Sequence, residues 1–456
     1  MPWMDQYRSR LTSASRAVSC IESGMRVYIH SGNAEPETLV EALMERAPYV
    51  RDVEVMHLLT LGISPYAAPE MAKHFRHNAL FMGGNVRQAV NEGRGDYTPI
   101  FLSEVEALFE SGELPINVAM IQVSPPDPHG YCSFGVAVET TLTAAKHAHY
   151  VIAQVNSQMP RTYGDSFIHV SELDAIVEVS RPLCELRKLT GSEIHRQIGA
   201  HVASLIEEGS VLQLGIGGIP DAVLPQLMDR RDLGVHTEMV SDNAIPLIEA
   251  GVINGRRKNV KPRKIILGFV LGTKRLFDFI NENPVFEFHP SAYTNDPFRI
   301  ASNDRMVALN SAIEVDLTGQ VCAESVGPNF YSGFGGQLDF VRGAARSKGG
   351  KPIIALPSTA KNDMVSRIVP QLAPGAGVLT TRADVHYVVT EYGIASLHGR
   401  TIRQRAEALI QISHPKFRTE LMHYCERQRW FQRNALSEEQ RGEYAVSTAR
   451  YCHHRP

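Results

Sequence analysis

The chain has 456 residues, 43% hydrophobic and 21% charged, with a formal net charge of -3. That balance excludes a disordered chain, and 46 basic against 49 acidic residues exclude a strongly basic nucleic-acid binder. No apolar run approaches the roughly 20 residues of a membrane helix, and Met1-Pro2-Trp3-Met4-Asp5-Gln6-Tyr7-Arg8 shows no secretory pattern, so the expectation is a soluble, cytoplasmic protein of two or three domains.

In chain order, residues 24–43 (GMRVYIHSGNAEPETLVEAL) read as a strand, a small-residue turn and a helix with Pro near its start, where its missing N–H is not needed. VEVMHLL, VAMIQV and YVIAQV are further strands of the first half. SEVEALFESG is a helix opened by Ser103-Glu104-Val105-Glu106, a capping box of the S-x-x-E type. The second half supplies VLQLGI, KIILGFV, MVALN, PIIALP and VHYVVTE. Continuous apolar runs of this kind are buried parallel strands, and their alternation with helices predicts α/β domains. From about residue 402 the spacing is helical without a partner in the first half, which predicts a C-terminal helical extension.

The two halves match each other. Residues 24–43 match 209–227 (GSVLQLGIGGIPDAVLPQL), with Gly24 on Gly209 at an offset of 185. LFMGG (80–84) matches IILGF (265–269) at the same offset. YCSFG (131–135) matches YSGFG (331–335) at 200, with Glu139 on Asp339, and SELDAIVEV (171–179) matches TRADVHYVV (381–389) at 210. Four collinear matches predict a duplicated domain, divided near residues 185–195 into 1–190 and 191–456.

Cys20, Cys132, Cys184, Cys322, Cys425 and Cys452 include no CxxC pair, so free thiols are expected rather than disulfides or zinc ligands. Cys452-His453-His454 reads as a solvated tail, and no metal is expected. In SPPDPHGYCSFG (124–135), Asp127, His129 and Cys132 suggest a hydrolytic or metal site, but the prolines and Gly130 favour a rigid turn.

Leu214-Gly215-Ile216-Gly217-Gly218-Ile219-Pro220 follows a strand and opens a helix, a turn whose backbone can approach an anion. Glu238 lies twenty residues after Gly218, as in a dinucleotide fingerprint, but Pro220 stands where the third glycine belongs, so a nicotinamide cofactor is disfavoured. Glu238 falls on the second strand of the second domain, and ligands gather at the carboxyl ends of such strands. A carboxylate nucleophile beside backbone donors fits that placement. Ser332-Gly333-Phe334-Gly335-Gly336-Gln337 offers a second accessible backbone wall. The matching first-half strand carries His57 instead of an acid, so catalysis is expected in the second half.

The motifs SPPDPHGYCSFG, QLGIGGIPDAV (213–223), HTEMVSDN (236–243) and SGFGGQLDF (332–340) occur in order over residues 8–450, and on them the chain resembles class I coenzyme A transferases of the acetyl-CoA hydrolase/transferase type, closest to 4-hydroxybutyrate, butyrate or acetate CoA-transferases. The resemblance implies two tandem α/β domains with the site between them. It also implies a nucleophilic Glu238, ionised at neutral pH, that carries CoA as a glutamyl thioester in ping-pong transfer. CoA would contact Gly215, Ile216, Gly217, Gly218 and Ile219, with Gly335 and Gly336 near the thioester, Gln213 beside Glu238 and Lys361 facing the phosphates. Asn33 and His57 are weaker candidates, and His57 reads more readily as a packed strand histidine. The resemblance implies acyl-CoA and a small carboxylic acid as substrates, no metal or nicotinamide, and a homodimer or larger homo-oligomer. An acyl-CoA hydrolase on the same fold is the alternative, and a NAD-binding or ligand-sensing protein a more distant one. An arginine in the acid pocket (Arg87, Arg161 and Arg299 are available) would favour a dicarboxylate.

Overall fold

The structure, a computed structural model, describes residues 2–186 and 191–431. Residues 187–190, within the expected domain junction, and Cys452-His453-His454 lie outside the described residues.

Each half builds one sheet. The first has β1 (Arg26–Ile29), β2 (Val53–His57), β3 (Phe75–Ala79), β4 (Gly95–Tyr97), β5 (Val118–Val123), β6 (Tyr150–Asn156) and β7 (Ala175–Val179). Their order is β4-β3-β2-β1-β5-β6-β7, parallel throughout. The second has β8 (Val211–Gln213), β9 (Gly234–His236), β10 (Ile265–Leu267), β11 (Phe286–Phe288), β12 (Met306–Ser311), β13 (Lys351–Ala355), β14 (Tyr387–Thr390) and β15 (Gly393–Ser396). Its order is β11-β10-β9-β8-β12-β13-β14-β15, with only the last pair antiparallel. Strand n of the first sheet thus corresponds to strand n + 7 of the second. All of β5 is buried, as its unbroken apolar run predicts for a strand covered on both faces.

Strand register refines the internal match. Gly24 and Gly209 both take left-handed backbones, and each donates its N–H to the end of a neighbouring loop, at Arg51 and Arg231. Val27 faces Val55 as Leu212 faces Val235, which carries the offset of 185 in β1/β8 to 180 in β2/β9. His77 then faces Val55 as Ile265 faces Val235, giving 188 for β3/β10. The LFMGG/IILGF match is therefore displaced by three: LFMGG is the loop after β3, whereas Ile265–Leu267 is the strand itself. Continuing through β5/β12 and β6/β13, Ala175 corresponds to Tyr387, an offset of 212 rather than 210. The helices Thr141–His147 and Gln337–Arg346 begin 196 apart rather than 200, so Gly336 corresponds to Thr140, and Glu139 does not correspond to Asp339.

The halves exchange loops. Met82 N–H donates to Ser332 O at 3.1 Å, and its counterpart Val270 N–H donates to Val136 O at 2.8 Å. Leu102 N–H also donates to Gly335 O, and Val138 N–H to Gly268 O. Phe134, Val136 and Val138 of the first half share one fully buried core with Phe269, Val270 and Leu271 of the second. Each such side chain contributes about 1.5–3 kcal/mol, so the seam belongs to the fold rather than to a loose contact.

The expected capping box does not form. The Ser103 hydroxyl reaches across the seam to Asp339 (2.9 Å), and Glu106 accepts Ala292 N–H (2.7 Å) and the Thr143 hydroxyl. A short 3-10 turn, Leu102–Glu104, leads into the helix Val105–Ser111 instead. Tertiary partners here outbid the local cap. The C-terminal extension forms helices Ile402–Ile412 and Pro415–Arg427. The first is opened by a capping box between Thr401 and Gln404, and its Leu409, Ile410 and Ile412 share a core with Val388 and Ala395 of the second sheet and with Leu397 just after it.

Candidate active site

The site grows from the end of β9. Thr237 ties the ends of β8 and β9 together: its hydroxyl oxygen accepts Leu214 N–H at 2.9 Å. Glu238 follows, and its carbonyl accepts the N–H groups of Gly268 (2.9 Å) and Phe269 (3.2 Å), which fixes its backbone. His236 is fully buried, and burial lowers its pKa to about 3, so its ring is neutral. Its Nε2 bonds Thr294 O at 2.9 Å, holding the end of the short helix Ser291–Thr294. The next residue, Asn295, is fully buried, and its Nδ2 donates to Glu238 Oε2 at 3.1 Å. The His-Thr-Glu run is thus one device: histidine sets the asparagine, threonine sets the strand end, and glutamate receives both.

Gly336 closes the other side. Its backbone N–H faces the Glu238 carboxylate and favours the charged form, and a side chain at 336 would collide with that carboxylate and with the Asn295 amide. Gly333 and Gly335 serve a different purpose, leaving room for Phe81 of the first domain.

Glu238 opens into a cavity of about 250 Å³ between the domains. Gln213, Gly215, Ile216, Gly335 and Gly336 line it with Glu238, and Leu58, Leu59, Phe81 and Leu102 supply the first-domain wall. Among the described residues, Glu238 is the only ionisable one in the lining. Its accessible surface faces this cavity, so the carboxyl sits in a low-dielectric environment. Burial pushes its pKa up to about 7, against the lowering influence of Asn295 and Gly336. This setting departs from the ionised carboxylate expected from the sequence, because burial favours the protonated form.

Other expected residues fall outside the cavity lining. Gly217 caps the six-residue helix Gly218–Val223 with φ 106°, Gly218 lies against the His195 ring, and Ile219 is buried in the core. Lys361 is exposed on the turn of a small antiparallel pair, Thr359–Ala360 with Val365–Ser366. Asn33 donates to Cys184 O (2.5 Å) within the first half and to Gly272 O (3.5 Å) of the second. His57 is buried, bonded to the Tyr66 hydroxyl and stacked on His77, a packed strand histidine. Asp127 accepts the N–H groups of His129 and Tyr131 and pairs with Arg161, as a rigid turn requires. Arg87 stacks on Tyr331, and Arg299 stacks on Tyr293 and pairs with Asp296, so none of the three arginines lines the cavity. Among the described residues, no cluster of three or more His, Cys, Asp or Glu could hold a metal, and no helix is long and apolar enough to cross a membrane.

Asn295 was not found by sequence reasoning. It lies 57 residues beyond Glu238 in SAYTND, with no local pattern to mark it. The first half fills the corresponding positions differently. At the positions of Gln213, Glu238 and Gly336 stand Tyr28, Leu58 and Thr140. Tyr28 fills that space with its ring and bonds Thr140 (2.8 Å) and Thr141 (2.9 Å) through its hydroxyl.

Comparison with known proteins agrees with this architecture. Residues 2–183 match the acetyl-CoA hydrolase/transferase N-terminal domain, and residues 272–425 match the acetyl-CoA hydrolase/transferase C-terminal domain. The 4-hydroxybutyrate coenzyme A transferase of Clostridium kluyveri is 53% identical over 422 residues, 92% of this chain and 98% of that one. The succinyl-CoA:acetate/propanoyl-CoA:succinate CoA transferase of Fasciola hepatica is 48% identical, over 88% of this chain and 84% of its own. The crystal structure of RipA from Yersinia pestis superposes with a TM-score of 0.90 at 35% identity, over 94% of this chain and all of that one. The chain therefore belongs to the acetyl-CoA hydrolase/transferase family.

Proposed function

We propose that this protein is a CoA-transferase that moves coenzyme A between an acyl-CoA and a small carboxylic acid by ping-pong chemistry at Glu238. One observation carries the reading: among the described residues, a single carboxylate, set between Asn295 and Gly336, is the only ionisable group lining an interdomain cavity of otherwise apolar and uncharged polar side chains. The Glu238 carboxylate attacks the acyl-CoA carbonyl, forming an acyl–glutamyl anhydride and expelling CoA thiolate. The thiolate attacks the glutamyl carbonyl, giving the enzyme–CoA thioester and releasing the first acid. The second acid reverses both steps. Gly336 N–H faces the Glu238 carboxyl, where negative charge develops when the thiolate attacks the glutamyl carbonyl.

CoA enters past Gly215 and Ile216, and Lys361 serves its phosphates from the exposed turn. Acetyl-CoA, with 4-hydroxybutyrate, butyrate or a small dicarboxylate, makes up the candidate substrate set. The same reading divides the chain at about residue 190, with the catalytic apparatus centred on 191–456. The apolar wall favours transfer over hydrolysis because it excludes competing water. The test is to incubate the enzyme with acetyl-CoA alone and weigh the Glu238 peptide. A CoA adduct that is discharged on adding a carboxylic acid, with acyl-CoA formed, supports transfer. Thiol release at the same rate with and without acid supports the hydrolase instead.

A further inference from the structure

Family membership does not decide which acid is used, since the relatives' names include both mono- and dicarboxylates. We propose that the acyl end of the cavity selects monocarboxylic acids against dicarboxylates, and that Leu58, Leu59 and Phe81 set this choice. The proposal rests on the CoA-transfer reading of Glu238.

The argument starts from the duplication. By strand register Leu58 and Leu59 are the counterparts of Glu238 and Met239, and Phe81 is the counterpart of Phe269. All six line the same cavity. The cavity therefore straddles the seam between the two copies, and the wall opposing the nucleophile is the copy that has no glutamate. Its ends differ in access. Ile216, at the glycine turn, is 42% exposed, whereas Leu58 is 5% and Leu102 1% exposed and Leu59 and Phe81 are half-buried. A thioester carbonyl placed at Glu238 sends the bulky CoA toward the open mouth and the acyl chain toward the closed, first-domain end.

That closed end is apolar, and among the described residues the lining contains no Arg, Lys or His. The second carboxylate of a dicarboxylic acid would be carried into it without a cation, and an unpaired buried charge is strongly disfavoured. Arg87, Arg161 and Arg299 are stacked or paired away from the cavity. A hydroxyl is a different case, because the neutral amides of Gln213, Asn310 and Gln337 lie in the lining and can bond it.

The test charges the enzyme with acetyl-CoA and compares butyrate, 4-hydroxybutyrate and succinate as acceptors at pH 7.5. Butyrate and 4-hydroxybutyrate are both expected to be used, with kcat/KM for succinate lower than for butyrate by about 100-fold or more; a smaller difference overturns the proposal. If no Glu238–CoA adduct forms with acetyl-CoA alone, it is the transfer reading that fails. A second arm uses Leu59→Arg at a half-buried position, checked for an unchanged melting profile. Placing a cation in the wall is expected to narrow the butyrate-to-succinate ratio by about tenfold or more. An unchanged ratio in the folded variant removes this wall as the source of selectivity.

Discussion

Asn295 donates its side-chain amide to Glu238 at 3.1 Å from a helix end that His236, two residues before that glutamate, itself holds. The nucleophile is thus positioned through a closed circuit of neighbours. Asn295 favours the charged form of Glu238, so Asn295→Ala should raise the carboxyl's pKa above about 7. Loss of a hydrogen bond to a charged group, about 1.5–3 kcal/mol, should lower kcat/KM by roughly 10- to 100-fold at pH 7. The midpoint of the pH–rate profile should move alkaline. An unshifted profile would show that the amide only fills space.

In the unsubstituted enzyme, attack requires the Glu238 anion, so kcat/KM should rise with pH through about 7. An activity already at its plateau by pH 5.5 would contradict the buried setting of the carboxyl.

Stability should move the other way. Burial raises the carboxyls of Glu238 and Asp339 to about 7 and of Glu139 to about 8. Each holds its proton more tightly folded than unfolded. The resulting stabilisation is complete below the unfolded carboxyl pKa near 4 and is lost as pH rises through the folded value. Glu238→Gln removes one of these losses and should stabilise the protein at pH 8 by on the order of 2–3 kcal/mol, with the gain fading toward pH 5. Urea melts at the two pH values read it directly.

Gly336→Ala should abolish transfer while leaving most of the fold intact. The added methyl meets the Glu238 carboxylate and the Asn295 amide, an overpacking cost of about 1–3 kcal/mol concentrated on the reacting group. Near-normal turnover by this variant would mean that the carboxylate has room to move aside.

Tyr28→Phe probes the filled copy of the site. Removing the hydroxyl leaves Thr140 and Thr141 without that partner and should cost about 1–3 kcal/mol of stability. Turnover should stay close to that of the unsubstituted protein, because the filled copy takes no part in the chemistry.

Much of this was legible in the chain. Apolar runs located the main strands, and Gly24 and Gly209 marked a true correspondence because both need left-handed backbones. The finer alignment slipped for a physical reason. A shift of two along a strand, as between Asp174 and Asp384, or of four along a helix, as between Glu139 and Asp339, keeps the same face inward. Sequence pattern therefore cannot see such a shift, whereas hydrogen-bond register can. Ser103 and Glu106 matched a local capping rule but found partners on the other domain, which no local reading reveals. Glu238 and Gly336 stood out through their motifs, but the raised pKa of Glu238 depends on burial by residues from both halves, and the role of Asn295 depends on a fold that closes 57 residues of chain.

The exchanged loops have a bearing on biosynthesis. When the first 190 or so residues have left the ribosome, Met82 N–H and Val136 O have no partners, and Phe134 and Val138 lack much of their cover. The second half supplies the partner of Val136 first, at Val270, and that of Met82 only later in the chain, at Ser332. The nascent first domain must therefore wait, incompletely sealed, for its duplicate, and the nucleophile's cavity comes into being only as that seal closes.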